Sequence, residues 1–413
     1  MPTFTVLFLL LLVLVLLTQL WLDRRQILFV QNHRHAVPAA FRRRLSLKEH
    51  QKAADYTVAY ARFGRMDHIA STAVLLLWTL GGGLDVLDYA WRMSDWDAIV
   101  IGTAFLLSVF LINSLIELPF EAWRAFVIER HFGFNRLTPR LFIVDQMKRL
   151  LLLMLFGAPV AYVLLWVMQQ AGESWWVYAW LFWSGLSLFL VWAYPTLIAP
   201  LFNKFKPLKP GRFRTRIQAL LRRTGFRSRG IFVVDSSKRT AHGNAYFTGF
   251  GRNKRIVFFD SLLESLREKE IIAVLAHELG HFKRGHINQR LVLMLLLSLA
   301  GFALLGWLIQ KGWFYEGLGV SKPSEHAALI LFVLAGPVFT YFLHPLLAWR
   351  SRTHEYEADR FAAEQTDARD LVSALVRLYR DNARTLTPDP LHSAFYDSHP
   401  PAAARIAHLA RFF

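Results

Sequence analysis

Residues 268–286 read EKEIIAVLAHELGHFKRGH, and an apolar run at 290–310, long enough to cross a bilayer, follows almost at once. On a helix, His277 and His281 share a face, so both imidazoles can grip one zinc ion while Glu278 lies beside the remaining ligand position. Lys269, Glu270, Lys283 and Arg284 flank this HExxH motif and place it at or outside the membrane surface, not within a span. The stretch therefore predicts a metal-bearing helix that runs directly into a transmembrane helix.

The rest of the chain carries the same signal. Of 413 residues 54% are hydrophobic and 15% aromatic, and the mean hydropathy is positive. These residues are gathered into seven runs of about the length a bilayer requires, at 4–22, 68–88, 98–118, 149–169, 176–198, 290–310 and 327–348. Runs such as LLLLVLVLL have no polar face, which excludes the buried helices of a large soluble protein. The first run has no basic residue before it and is followed by Arg24 and Arg25, which suits a retained anchor and not a cleaved signal.

A formal net charge of +18 raises nucleic-acid binding as a possibility, and the placement of the charge argues against it. Residues 23–67 carry Arg24, Arg25, Arg34, Arg42, Arg43, Arg44, Lys48, Lys52, Arg62 and Arg65, while the next connection, DVLDYAWRMSDWD, is acidic. The connection at 119–148 is basic again, as is the segment after the fifth span. This alternation is the positive-inside pattern, with the N-terminus outside and the basic segments cytoplasmic beside anionic lipid. The chain has no cysteine, so thiolate ligands are excluded and a metal site must use His and carboxylates.

The expected organisation is a mainly α, integral membrane fold. Spans one to five and their loops occupy 1–198, a cytoplasmic segment with HExxH 199–289, spans six and seven 290–348, and a C-terminal cytoplasmic segment 349–413. Between the fifth and sixth spans, RTRIQALLRRTGF predicts an amphipathic helix, RGIFVVDSS a short strand, and NAYFTGFGRNKRIVFFDSLLE two strands around a Gly-Phe-Gly-Arg-Asn turn. A small sheet edge beside a zinc helix can hold an extended substrate by main-chain hydrogen bonds.

A hydrolytic zinc site takes three protein ligands and leaves one position open. The candidate for the third ligand lies in SRTHEYEADRFAAE, after the seventh span and on the same side of the membrane. Glu355 and Asp359 are four apart, so Glu355 can bind the metal while Asp359 accepts a hydrogen bond from a ligand histidine and fixes its tautomer. Glu357 is an alternative ligand, and Asp359 could instead pair with Arg352 or Arg360.

At this point the chain resembles the CaaX prenyl proteases of the a-factor-converting type, multi-spanning zinc endopeptidases. The matching strings are HELGHFKRGH at 277–286, HEYEADRFA at 354–362, NAYFTGFGRNKRIVFFDSLLE at 244–264, FGFNRLTPRLFIVDQMK at 132–148, YPTLIAPLFNKFKPL at 194–208 and SHPPAAARIAHL at 398–409. The resemblance implies seven helices enclosing a water-filled chamber, capped by a small α+β zinc domain on the cytosolic side. It implies cleavage near the C-terminus of a membrane-associated peptide or protein substrate, prenylated or not. It makes His277, His281 and Glu355 the zinc ligands and Glu278 the general base toward a metal-activated water. It also matches His399 and Arg405 to stabilisation of the oxyanion, and Asn244, Ala245 and Tyr246 to contact with the substrate strand.

Within enzymes the rival is a heat-shock quality-control protease without prenyl specificity, a type that usually has four spans. Outside enzymes the rival is a non-catalytic zinc-containing membrane scaffold. Membrane lipid is an expected partner, nucleic acid is not, and the oligomeric state is open. Compact loops and the lack of a C-terminal retention signal favour a bacterial inner membrane, with the endoplasmic reticulum as the eukaryotic counterpart.

Overall fold

A computed structural model describes residues 2–248 and 254–413; the Gly-Phe-Gly-Arg-Asn turn at 249–253 lies outside the described residues. Six described helices are long and apolar enough to cross a membrane: Thr3–Asn32, Ala98–Glu129, Pro139–Gln170, Gly172–Phe202, His286–Leu308 and Glu325–Gln365. A seventh crossing is a pair, Leu47–Trp78 and Gly83–Arg92, bent by 47°. The run expected at 68–88 falls across this bend, because the glycines at 81–83 that add to its apolar character also interrupt the helix.

Large apolar side chains such as Leu10, Leu17, Leu155, Trp166, Leu296 and Trp349 point outward and are exposed, as lipid-facing residues are. Inside the bundle, Phe8, Phe105, Leu165, Tyr315 and Leu331 pack into one buried cluster. Without a hydrophobic drive between helices in lipid, it is packing of this kind that holds the spans together.

Two spans do more than cross. The sixth, His286–Leu308, is preceded by the helix Glu268–Lys283 that bears HExxH, with only Arg284 and Gly285 between them. Gly285 adopts φ +72°, a left-handed conformation that costs an L side chain about 1–2 kcal/mol, and it turns the motif helix out of the line of the span. The seventh continues, through the tight turn Tyr341–Leu343, into His344–Gln365. The resulting rod of 41 residues is about 60 Å long, roughly twice the hydrocarbon thickness, and its far half carries Glu355 and Asp359 beyond the bundle.

Between these arms sits a four-stranded sheet in the order β1-β2-β4-β3: β1 Phe205–Pro207, β2 Gly230–Val234, β3 Ala245–Thr248 and β4 Arg255–Phe259. β2 and β4 are parallel, while β1 and β3 pair antiparallel at the two edges. The sheet and the amphipathic helix Arg212–Arg223 share a second core of Ile217, Leu220, Ile256 and Phe258 with Leu275, Leu279 and Leu371. Each fully buried side chain there contributes about 1.5–3 kcal/mol. Arg267 N–H donates to Glu270 at 2.8 Å, and Glu270 also meets Arg377 Nε at 3.1 Å, which caps the motif helix and ties its start to the helix Ala368–Asp381.

Candidate metal centre

The centre depends first on how closely two helices approach. A Cβ on Gly280 would lie 2.9 Å from the Ala358 Cα and 3.1 Å from its carbonyl oxygen, so the glycine inside HELGH lets the motif helix and the Glu355 helix touch backbone to backbone. Within one turn of that contact on each helix lie the metal-ligating types, His277 and His281 on one and Glu355 on the other. His277 Nε2 is 3.3 Å from His281 Nε2 and 3.4 Å from Glu355 Oε2, and His281 Nε2 is 3.2 Å from Glu355 Oε1. Among the described residues this is the group of three His or acidic side chains converging tightly enough to hold a metal ion. Buried Glu355 Oε2 makes no hydrogen bond and meets His277 Nε2 and Arg405 Nη1 only at ion-pair distance, while Oε1 faces His281. Two neutral imidazoles and a carboxylate are a zinc donor set, so the residues fit that ion.

Each ligand is held from behind. His277 Nδ1 lies 2.9 Å from Asp359 Oδ1, and Asp359 in turn receives Arg405 Nε at 2.9 Å and Nη2 at 2.5 Å. Arg405 is buried, and its Nη1 is 3.4 Å from Glu355 Oε2. Its donors are thus engaged by the two acidic groups of the Glu355 helix, which alters the expectation of a free oxyanion donor; the Asp359 partner is Arg405 and neither Arg352 nor Arg360. Burial and Arg405 push the His277 imidazole down, but Asp359 and Glu355 outweigh them and carry it up to about 9 while no metal is bound.

Behind His281 is a hydrogen-bond arrangement of His286 and Glu357, two residues whose pairing the sequence does not show. His281 Nδ1 meets His286 Nδ1 at 3.0 Å, and His286 Nε2 meets Glu357 at 3.0 Å. With Glu357 accepting from His286 Nε2–H, His286 Nδ1 is the acceptor for His281 Nδ1–H, which leaves His281 Nε2 free to ligate. The ring of His354 stacks on His286 at 4.0 Å and 6°. His286 and His354 thus lie behind the centre, and Glu357, the alternative ligand, faces this relay. The signal was a histidine five positions past His281, at the head of a span.

Glu278 and His399 line a cavity of about 630 Å³ that opens beside the three ligands. Withdrawal from water pushes the Glu278 carboxyl above its ordinary range against the opposing pull of His277 and His281, a state suited to carrying a proton. The His399 ring is half exposed to the lumen, with Nε2 3.4 Å from Glu355 Oε1, and burial favours its neutral form. Asn244 and Ala245 line the same cavity, where β3 forms the sheet edge. Asn244 Oδ1 accepts from Ala245 N–H at 2.8 Å, and the Asn244 carbonyl accepts from Phe259. Tyr246 packs edge-on to Phe259 at 6.1 Å and lies outside the cavity lining; burial raises its phenol to about 12.

The segment leading into β3 is anchored to the bundle. Asn382 Oδ1 accepts from Gly243 N–H at 3.2 Å and contacts His242 Nδ1 at 3.1 Å. His242 stacks on Phe134 at 4.4 Å, and its Nε2 faces Glu129, which also accepts from Tyr56 at 2.6 Å and from Tyr60. Tyr60, Glu129 and His242 also border a neighbouring polar cavity of about 620 Å³. Tyr56, Tyr379, Arg384 and His399 border a third, of about 440 Å³. These three cavities share lining residues and lie at the metal end of the spans.

Residues 26–204 match the family described as CAAX prenyl protease N-terminal, five membrane helices, and residues 207–412 match peptidase family M48. The CAAX prenyl protease 1 homolog of Arabidopsis thaliana is 35% identical over 78% of this chain and 78% of its own. That of Homo sapiens is 33% identical over 80% of this chain and 77% of its own. The crystal structure of S. mikatae Ste24p aligns with a TM-score of 0.91 and 29% identity, covering 99% of both chains. Taken with the spans and the convergent His, His and Glu, these matches establish that the chain belongs to the CAAX prenyl protease 1 family of M48 peptidases and is a multi-pass membrane metalloendopeptidase.

Proposed function

We propose that the chain is a zinc-dependent endopeptidase whose metal is held by His277, His281 and Glu355, and that it cleaves near the C-terminus of membrane-associated, CaaX-type substrates. The observation that carries the reading is the convergence of the three side chains, with 3.2–3.4 Å between their facing atoms, beside the cavity that His277 and Glu278 line. The substrate class comes from the relatives, which are named for CAAX prenyl processing.

A bound zinc supplies a lowered pKa for water and polarises the scissile carbonyl. Glu278, already raised in proton affinity by burial, accepts the proton that the attacking water loses as its oxygen bonds to the carbonyl carbon. It returns that proton to the amine nitrogen as the C–N bond breaks, so one water is consumed and the base is restored. His399, on the lumen wall, donates to the oxyanion. Arg405 acts indirectly, fixing Asp359, which sets the His277 tautomer. The substrate lies extended along the free edge of β3, where Asn244 and Ala245 border the cavity and Tyr246 stiffens the strand from its far side.

The distribution of arginine and lysine supports an orientation with the N-terminus outside and the metal end of the bundle in the cytoplasm. The test is chelation. Stripping metal from the purified protein abolishes cleavage of a CaaX-type peptide, and one equivalent of zinc restores it; cleavage that survives chelation overturns the reading.

A further inference from the structure

The helix Ala368–Asp381 ends in a way that serves the cavity twice. Ala383 N–H donates to the Arg380 carbonyl at 3.1 Å and Arg384 N–H to the Tyr379 carbonyl at 2.9 Å, the pairing that closes a helix through a left-handed residue. That residue is Ala383, the one described non-glycine position with positive φ, at 45°. Asn382, just before it, holds the backbone that leads into β3. Arg384, just after it, is turned into the space between the metal cavity and its 440 Å³ neighbour, and borders both.

Among the described residues the Arg384 guanidinium has no ion pair or hydrogen bond, and its side chain is exposed to the lumen. Asp397 borders the same smaller cavity without pairing with it. Arg384 is near enough to His399 and Tyr379 for its charge to act on both. His399 in turn is 3.4 Å from the ligand Glu355, so this cation stands a short step from the metal. An unpaired arginine on the wall of a recess is a receptor for a planar anion.

The sheet gives the direction from which such an anion arrives. β3 runs from Ala245 to Thr248, and a substrate pairing antiparallel to it, the more stable ladder, runs toward Asn244 and His242. Its C-terminal end therefore leads to Tyr56 and Tyr60, the wall shared with the Arg384 recess. About 440 Å³ accommodates a short segment of chain.

We propose that Arg384 is a specificity residue that binds the free C-terminal carboxylate of the substrate, so that cleavage is counted from the end of the chain. The substrate's direction rests on the peptidase reading above; the anion site rests on the cavity.

The test uses full-length, zinc-loaded protein in detergent, with Glu278→Gln to prevent turnover. Binding of two fluorescent peptides is compared, identical except that one ends in a carboxylate and the other in a carboxamide. The acid is expected to bind about tenfold or more tightly, as a charge-assisted bidentate contact allows. Arg384→Ala is expected to bring the acid down to the affinity of the amide, and Arg384→Lys to keep part of the difference. Equal binding of acid and amide, or a preference that survives Arg384→Ala and so belongs to the metal, overturns the proposal. Turnover by protein with intact Glu278 is read separately. If the acid preference holds but neither peptide is cut, the carboxylate site stands and the peptidase reading fails.

Discussion

His277 and His281 are held by different devices, and their responses to pH and substitution differ accordingly. Without metal, His277 keeps a proton up to about pH 9 because Asp359 and Glu355 face it. Zinc must displace that proton, so apparent zinc affinity is expected to rise about tenfold per pH unit between pH 7 and 9, measured by competition with a chromogenic chelator. The same raised pKa stabilises the metal-free fold fully below the ordinary histidine range and is lost as pH rises through about 9, so metal-free protein should melt at a lower temperature at pH 9 than at pH 7. For His281, removing the relay by His286→Ala or Glu357→Gln is expected to weaken zinc binding about 10- to 100-fold without removing a ligand. The shared face of His277 and His281 was legible because i and i+4 spacing on a helix is a geometric statement. The relay was not, because Glu357 and His286 lie 71 positions apart and on helices whose rotation only the packed structure defines. The contacts of Arg405 were hidden for the same reason: its partners are Asp359, 46 positions away, and Glu355, and nothing in SHPPAAARIAHL points to either.

At the scale of elements, the third ligand reaches the other two because two helices cross at Gly280 and Ala358. Gly280→Ala is expected to destabilise the protein by about 1–3 kcal/mol, since the added Cβ meets backbone that cannot rotate away. The measurement is the thermal midpoint together with zinc content, and both should fall. The sequence made the motif helix, β2 and the amphipathic helix readable through their periodicity and turn residues. It did not reveal that β3 sits at the sheet edge, because the order β1-β2-β4-β3 depends on a parallel crossover between β2 and β4. Nor did it separate the second span into its two bent halves, since hydropathy averages over the glycines that break it.

Across the whole molecule, the metal end is built from continuations of the sixth and seventh spans, so the peptidase segment is tied to the membrane through its own metal-bearing helices. The number and placement of the spans were legible from hydropathy, and their common end follows from one span starting and the other finishing there. Because the chain has no cysteine, its orientation can be probed with single introduced thiols. Glu173→Cys and Lys322→Cys, both exposed, are expected to react with an impermeant maleimide from outside intact cells, and exposed Lys209→Cys only after lysis. The most direct test of the central claim, that these two spans carry a hydrolytic centre, is zinc content and peptide cleavage measured together on wild-type and Glu278→Gln protein. One zinc per chain in both, with cleavage reduced by at least about 100-fold in the variant, is the expected result. Cleavage by Glu278→Gln at the wild-type rate, or wild-type protein that binds no zinc yet cleaves, would contradict it.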